Sequence, residues 1–298
     1  MAERAFYIGA TKHEAPALPP GLHITATPIG NLGDVTLRAL ATLAAADVIL
    51  CEDTRITSRL LDRYGIKVPM KPYHEHNAER VRPAIIAALQ AGAAYALVSD
   101  AGVPLVSDPG YRLVRACIDE SVAITALPGA SATLTALALS GLPTDCFTFL
   151  GFLPTKGKAR HDLLMQFKAA PSTLIAFESP HRIVDALSDV GMALGNRRVA
   201  VARELTKLHE EVLRGTAEDV RSNLAARESI KGEIVLVIGP PEDEAPVASA
   251  ADLEEAITVA LSEHSASKAA ALVSKAFGLS KDEIYSLILK RKAAGTYD

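Results

Sequence analysis

Cysteine is scarce in this 298-residue chain: Cys51, Cys117 and Cys146 form an odd, scattered set with no C-x-x-C pair. That excludes a disulfide framework and a cysteine zinc site, and all three read as small buried apolar residues in a reducing compartment. Long apolar runs are missing as well. The first twenty residues mix Glu3, Arg4, Lys12 and His13 with a proline-rich 15–20 stretch and carry no secretory or membrane-spanning core. A flexible extension over 1–21 and a cytoplasmic protein with no membrane partner are therefore expected. Positive charge is not in excess either, since 31 Lys and Arg against 35 Asp and Glu leave a net charge of −4. Coating nucleic acid by bulk charge is excluded, so any RNA contact must use local basic patches.

Two nucleotide motifs are absent. No two glycines are separated by a single residue, which removes G-x-G-x-x-G and with it a dinucleotide Rossmann site and the usual glycine-rich methyltransferase loop. The phosphate-loop candidate at 151–158 has five residues between its glycines rather than four, and Ala159 stands where a magnesium-binding Ser or Thr belongs. His74 and His76 flank Glu75, but H-E-x-x-H is not formed and no cysteine lies nearby, so the pair reads as loop hydrogen bonding and no metal is expected.

What is present is α/β alternation. Apolar runs at 22–26, 47–51, 94–98 and 122–127 read as strands, and 36–45, 78–91, 111–119 and 130–139 carry the helical apolar period. They define a domain over 22–143. The Gly- and Pro-rich 142–158 stretch breaks the pattern and reads as a connection. A second α/β domain over 144–243 follows, with a helix at 159–168, strands at 173–177, 198–202, 211–214 and 233–238, and a helix at 217–226 that together suggest a mixed sheet. The Pro- and acid-rich 240–246 segment reads as a linker, and 244–298 as a helical tail. The tail helices, 252–261, 268–277 and 281–292, resemble a helix-turn-helix unit with Gly278 and Ser280 as caps.

Each polar cluster of the first domain directly follows a strand: 27–34, Glu52-Asp53-Thr54-Arg55, 99–110 and Pro128-Gly129-Ala130-Ser131. Ligands of parallel sheets bind outside the strand carboxyl ends, so four such loops point to one cofactor crevice. Ordinary turn-making accounts for any one of them, but not for the twelve-residue 99–110 loop, because strand-to-helix connections run about 2 to 6 residues.

These loops, taken with Gly151-Phe152-Leu153-Pro154, Phe177-Glu178-Ser179-Pro180-His181-Arg182 and Arg203-Glu204-Leu205-Thr206-Lys207, resemble the tetrapyrrole-methylase family. Within it they resemble the enzymes that methylate a cytidine 2'-hydroxyl of 16S ribosomal RNA in the small ribosomal subunit. The likeness runs over about 22–239; one departure is Ala176, where an aromatic is expected before Phe177. It implies a two-domain class III methyltransferase fold, S-adenosyl-L-methionine in the crevice between the domains, no metal, and a homodimer. On the family pattern Thr27, Pro28, Gly30, Asn31, Gly33, Asp100, Ala101, Gly102, Val103, Pro104, Gly129, Ala130 and Ser131 surround the donor. Small residues suit that task because they let the backbone approach a ligand closely.

A protonated ribose hydroxyl is a poor nucleophile, so a carboxylate, His or Lys must steer its proton. Glu178, His181 and Arg182 follow one second-domain strand and Arg203, Glu204 and Lys207 another, at the same sheet edge. Either this cluster orients ribose and phosphate, or it is a salt-bridge network at the domain interface. Lys156, Lys158, Arg160 and His161, and the tail's Lys268, Lys275, Lys281, Lys290, Arg291 and Lys292, are either phosphate contacts or solvated faces. Tyr73, Tyr111 and Phe152 are candidates to stack a splayed base, or are core. Two other functions stay open: a methyltransferase acting on a porphyrin or corrin carbon, and a non-catalytic RNA-binding dimer.

Overall fold

The computed structural model describes residues 4–106, 110–241, 250–277 and 279–293. Expectations that fall on Ser107, Asp108, Pro109 and Gly278, and most of the 240–246 linker, lie outside the described residues. Where a loose extension is expected, the chain forms an antiparallel hairpin, β1 (Ala5–Ile8) and β2 (Thr11–Glu14), turned at Gly9 with φ 61°. The hairpin is fixed by a buried ring and a backbone bond to the body of the domain. Phe6 is buried among Leu43, Ile49 and Leu60 and stacks on His13, while Tyr7 N donates to Tyr64 O. A single buried ring in a polar stretch leaves no alternating pattern to read.

The first sheet is parallel, in the order β5-β4-β6-β3-β7, from β3 (Gly21–Thr25), β4 (Val48–Cys51), β5 (Met70–Pro72), β6 (Ala94–Leu97) and β7 (Ile124–Leu127). Its helices are α1 (Leu37–Ala45), α2 (Thr54–Arg63), α3 (Glu75–Gln90), α4 (Tyr111–Asp119) and α5 (Ala132–Ser140). Central strands are apolar throughout because both faces are covered: Ile49 and Ala96 join one core with Leu40 and Leu43, and Leu22, Leu50 and Leu97 join another with Leu113. Side-chain caps set the helix starts, with Thr36, Asp53 and Ser131 accepting from the amides of Ala39, Arg55 and Leu134. Two elements are additions to the sequence reading. Strand β5 has three residues and ends on a proline, which an edge tolerates, and α2 begins inside the polar 52–55 cluster. Cys51 and Cys117 are fully buried, and burial pushes the Cys117 thiol up to about 11. Cys146 departs from expectation and is exposed.

The second sheet is mixed, in the order β11-β10-β12-β9-β8, and only β8 and β9 run parallel. Its strands are β8 (Phe147–Phe152), β9 (Thr173–Glu178), β10 (Arg198–Arg203), β11 (Glu211–Thr216) and β12 (Ile234–Ile238). Helices α6 (Gly157–Gln166), α7 (Ile183–Leu194) and α8 (Ala217–Ala225) complete it. The expected 142–158 connection thus holds an edge strand, hidden because Gly151 sits at φ 69° within a register shift between Phe149 and Phe152.

The two faces of this sheet alternate residue by residue. Leu174, Ala176, Val199, Val201, Leu236 and Ile238 pack on α7 and α8, whereas Ile175, Ala200, Ala202, Val235 and Val237 form a core with Ala136 and Leu137 of α5. A helix that follows a strand of the first sheet therefore covers the second, and 1–240 forms one compact unit. The remaining helices, α9 (Ala250–Glu263), α10 (Ala266–Phe277) and α11 (Lys281–Ala293), enclose a separate small core of Ile257, Ala269, Val273, Ile284 and Ile288. No helix among the described residues is long and apolar enough to cross a membrane.

Leu137 is 4% exposed in the core shared by α5 and the second sheet. Leu137→Ala is expected to lower stability by about 2–5 kcal/mol in a single shared transition of the 1–240 unit, measured by chemical denaturation. Two separate transitions, only one of them shifted, would contradict the shared core.

Candidate active site

The loops beyond the first sheet face the second sheet across a cavity of about 380 Å³, within the roughly 300–1,000 Å³ of small-molecule sites. Ile29, Ala101, Gly102 and Val103 line it from the first-sheet loops, and Ser131 and Thr133 from the start of α5. Phe177, Glu178, Leu205 and Ile234 line it from the second sheet. Two loops are tied together at its base. Thr27 N donates to Gly102 O at 2.9 Å, Gly102 N returns to Thr27 O at 3.1 Å, and Thr27 Oγ1 donates to Ser99 O. Ser99 Oγ in turn donates to Gly102 O, and Gly102 takes φ 84°, a conformation glycine adopts without strain.

Asp100 Oδ1 accepts from Asp53 N at 3.1 Å, joining the loops after β6 and β4. Burial pushes the Asp100 carboxyl up, against the pull of that bond, and the Asp53 charge adds to the rise. Glu52 is pushed up by burial and by the Asp100 charge, while Arg55 holds Asp53 down at about 2. The loops after β4 and β6 thus carry two carboxyls with raised affinity for a proton, neither of which lines the cavity.

Glu178 ends β9 with its side chain fully buried. Its Oε1 accepts from Ser179 N at 2.6 Å, Arg182 Nε at 2.8 Å and Arg182 Nη2 at 2.7 Å, whereas its buried Oε2 has no partner. An unsatisfied buried acceptor costs about 1–3 kcal/mol unless something bonds it. Glu178 is one of the residues that line the cavity.

The other charges resolve into separate networks. Arg203 Nε donates to Glu211 Oε2, and Arg227 binds both Glu211 oxygens; Arg227 foremost, with Arg203, holds the Glu211 carboxyl at about 2. Lys207 Nζ bridges Glu204 Oε1 at 2.8 Å and Glu233 Oε2 at 3.1 Å. This turn is tight, with Glu204 at φ 51° and Thr206 at φ 64°, and Thr206 Oγ1 accepts from Asn31 N. A Cβ on Gly30 would lie 2.6 Å from Lys207 Cγ, so any side chain there forces Lys207 to shift.

Of the residues expected at the site, Ala101, Gly102, Val103, Ser131 and Glu178 line the cavity. Thr27, Pro28 and Pro104 are buried and outside its lining, and Gly129 lies where a Cβ would meet that of Ala26. Asp100 and Ala130 are partly exposed, and Asn31 caps a short turn, accepting from Gly33 N. Gly30 and Asn31 hold the second-sheet turn rather than line the cavity. Arg182 reaches the site through Glu178, while His181 is exposed and outside the lining. Arg203, Glu204 and Lys207 are engaged in the pairs just described. Arg160 leaves the expected basic group, being buried with its Nε 2.6 Å from Asp189 Oδ2, whereas Lys156 and Lys158 remain exposed. His74 precedes α3 and meets His76 edge-on, and no group among the described residues has three metal-ligating side chains together. Glu233, Ile234 and Val235 escaped the sequence reading because they open an antiparallel strand, whose beginning, not its end, pairs with Glu178.

Residues 21–221 match the model of the Tetrapyrrole (Corrin/Porphyrin) Methylases. The chain belongs to the tetrapyrrole methylase family. Residues 247–292 of this tetrapyrrole methylase match the RsmI C-terminal HTH domain. It is 49% identical over 286 residues to the ribosomal RNA small subunit methyltransferase I of Mesorhizobium japonicum, across 96% of this chain and 97% of that one. To the protein of the same name from Escherichia coli O157:H7 it is 41% identical over 276 residues, across 91% and 95% of the two chains. Among solved structures, the uroporphyrin-III C-methyl transferase from Thermus thermophilus complexed with S-adenyl homocysteine shares the fold, with a TM-score of 0.51 at 18% identity over 74% of this chain and 97% of that one.

In this tetrapyrrole methylase the Glu211 network gives a pH signature. A carboxyl depressed from its ordinary 4.5 to about 2 adds stability that is complete above 4.5 and disappears as pH falls through 2. The stability difference between wild type and Glu211→Gln is expected to be full at neutral pH and to close as pH falls through that window, measured by urea denaturation across pH.

Proposed function

We propose that the protein is an S-adenosyl-L-methionine-dependent methyltransferase that modifies the ribose 2'-hydroxyl of a cytidine in 16S ribosomal RNA, as a cytoplasmic homodimer. The observation that carries the chemistry is Glu178, a residue of the cavity wall whose buried Oε2 has no hydrogen-bond partner. The near full-length likeness to ribosomal RNA small subunit methyltransferases I supports the substrate class. The cytidine 2'-oxygen, the dimer and the compartment follow from the motif resemblance.

The cavity fits the donor. Ile29, Val103, Leu205 and Ile234 offer apolar walls to an adenosyl group and thioether, while the 101–103 backbone and Ser131 offer donors and acceptors that a zwitterionic amino acid tail needs. Thr27, Pro28, Pro104, Gly129 and Ala130 hold those loops in place. S-adenosyl-L-methionine, when bound, supplies an electrophilic methyl on a sulfonium. The protein supplies position, exclusion of water and one acceptor. Arg182 and the Ser179 amide fix Oε1 of Glu178, so the carboxylate cannot rotate and Oε2 is left to accept the hydrogen bond, and finally the proton, of the ribose hydroxyl. Arg182 also balances the buried charge, and Lys207 holds the Glu204 turn against the donor loop.

Labelled methyl should pass from S-adenosyl-L-methionine to unmodified small ribosomal subunits and, after nuclease digestion, appear on a cytidine 2'-oxygen. Glu178→Gln should slow transfer by about 10²–10⁴-fold while donor binding persists. Donor binding without any transfer to RNA would redirect the acceptor to tetrapyrroles. Gly102→Val should weaken donor binding by about tenfold or more in calorimetry, because a β-branched residue at φ 84° is strained and its Cβ would press on Ile29.

A further inference from the structure

The register shift in β8 has an effect beyond breaking a sequence pattern. Phe149 pairs with Ile175 and Phe152 with Phe177, so three steps on β8 match two on β9. Without the extra residue, position 151 would oppose Phe177 and Phe152 would turn to the face covered by α6 and α7. The bulge, with Gly151 at φ 69°, instead delivers Phe152 to the face of Phe149 and Phe177. Its ring then meets Phe177 edge-on at 5.3 Å, and Phe177 is braced the same way by Phe149 at 5.0 Å.

This braced ring is 61% exposed, and it borders the cavity that Phe177 and Glu178 also line. Packing does not account for it, since most of its surface stays in water. Of the other aromatics that could stack a base, Tyr73 is 1% exposed inside the first core, and Tyr111, at the start of α4, does not line the cavity. The loops expected to hold the donor border the same cavity from the first-sheet side.

Resting on the RNA reading above, we infer that Phe152, backed by Phe177, is the platform on which the base of the acceptor nucleotide stacks while its ribose meets Glu178. RNA bases are read by such stacking once splayed from their neighbours. Because every base offers a π-face, the platform positions the nucleotide and leaves its identity to other contacts.

The test measures methyl transfer to unmodified small ribosomal subunits by Phe152→Ala, Phe152→Leu and Phe152→Trp, with donor affinity by equilibrium dialysis without RNA and mass by sedimentation. Phe152→Ala and Phe152→Leu are expected to lower kcat/KM by about 5- to 150-fold, and Phe152→Trp to keep most of it, with donor affinity and mass unchanged. Wild-type rates in Phe152→Leu would mean that apolar contact suffices and would overturn the stacking role. A matching loss of donor affinity would place the ring on the donor, and a change in mass would place it in a subunit interface; either overturns it too. Failure of the wild type to methylate RNA while binding the donor would overturn the function itself, a result separable from all of these.

Discussion

Helix α5 leaves the first sheet at Ser131 and buries Thr133, Ala136, Leu137 and Ser140, spaced at one helical face, with Ala136 and Leu137 packed against the second sheet. That burial joins the two sheets at the edge where their loops meet. The cavity is the space left between sheets held in this way, and α5 itself contributes Ser131 and Thr133 to its wall. The Thr27–Gly102 bridge and the Asn31–Thr206 bond then shape the gap from two sides. Remove α5 from the second sheet and the Asn31–Thr206 bond, which crosses between the sheets, loses its fixed partner.

Within the gap the charges divide by task. Arg203, Glu211 and Arg227 satisfy one another, as do Glu204, Lys207 and Glu233, and each set stitches strand ends together. Glu178 and Arg182 differ because their pairing satisfies only one carboxylate oxygen and leaves the other buried and unmatched. An unmatched buried acceptor lowers stability, a cost that the other two sets do not carry.

Much of this was legible in the chain. Strands β3, β4, β6 and β7 announce themselves as apolar runs because parallel strands are buried on both faces, and the polar loops after them mark the cavity. What was not legible has local causes. Strand β8 is masked by its bulge, α2 begins within polar loop residues, and Phe6 is the one large side chain that the hairpin buries. At the site, residue types gave the charged cluster but not its pairings. Whether Arg203 faces Glu211 or a ligand depends on side-chain geometry that spacing does not carry. Glu233 and Ile234 stayed hidden for a topological reason, because β12 runs antiparallel and brings its beginning to the edge where β9 and β10 bring their ends.

Gly30 presses against the Lys207 side chain, across 177 positions of sequence. Any side chain at 30 displaces Lys207 and loosens its hold on Glu204 and Glu233; a shorter residue at 207 would make room but give up both bonds. The coupling runs in one direction: a side chain at 30 forces Lys207 to move, whereas a shorter residue at 207 leaves Gly30 unstrained and forfeits only the two bonds, so the donor loop is the stricter of the two partners.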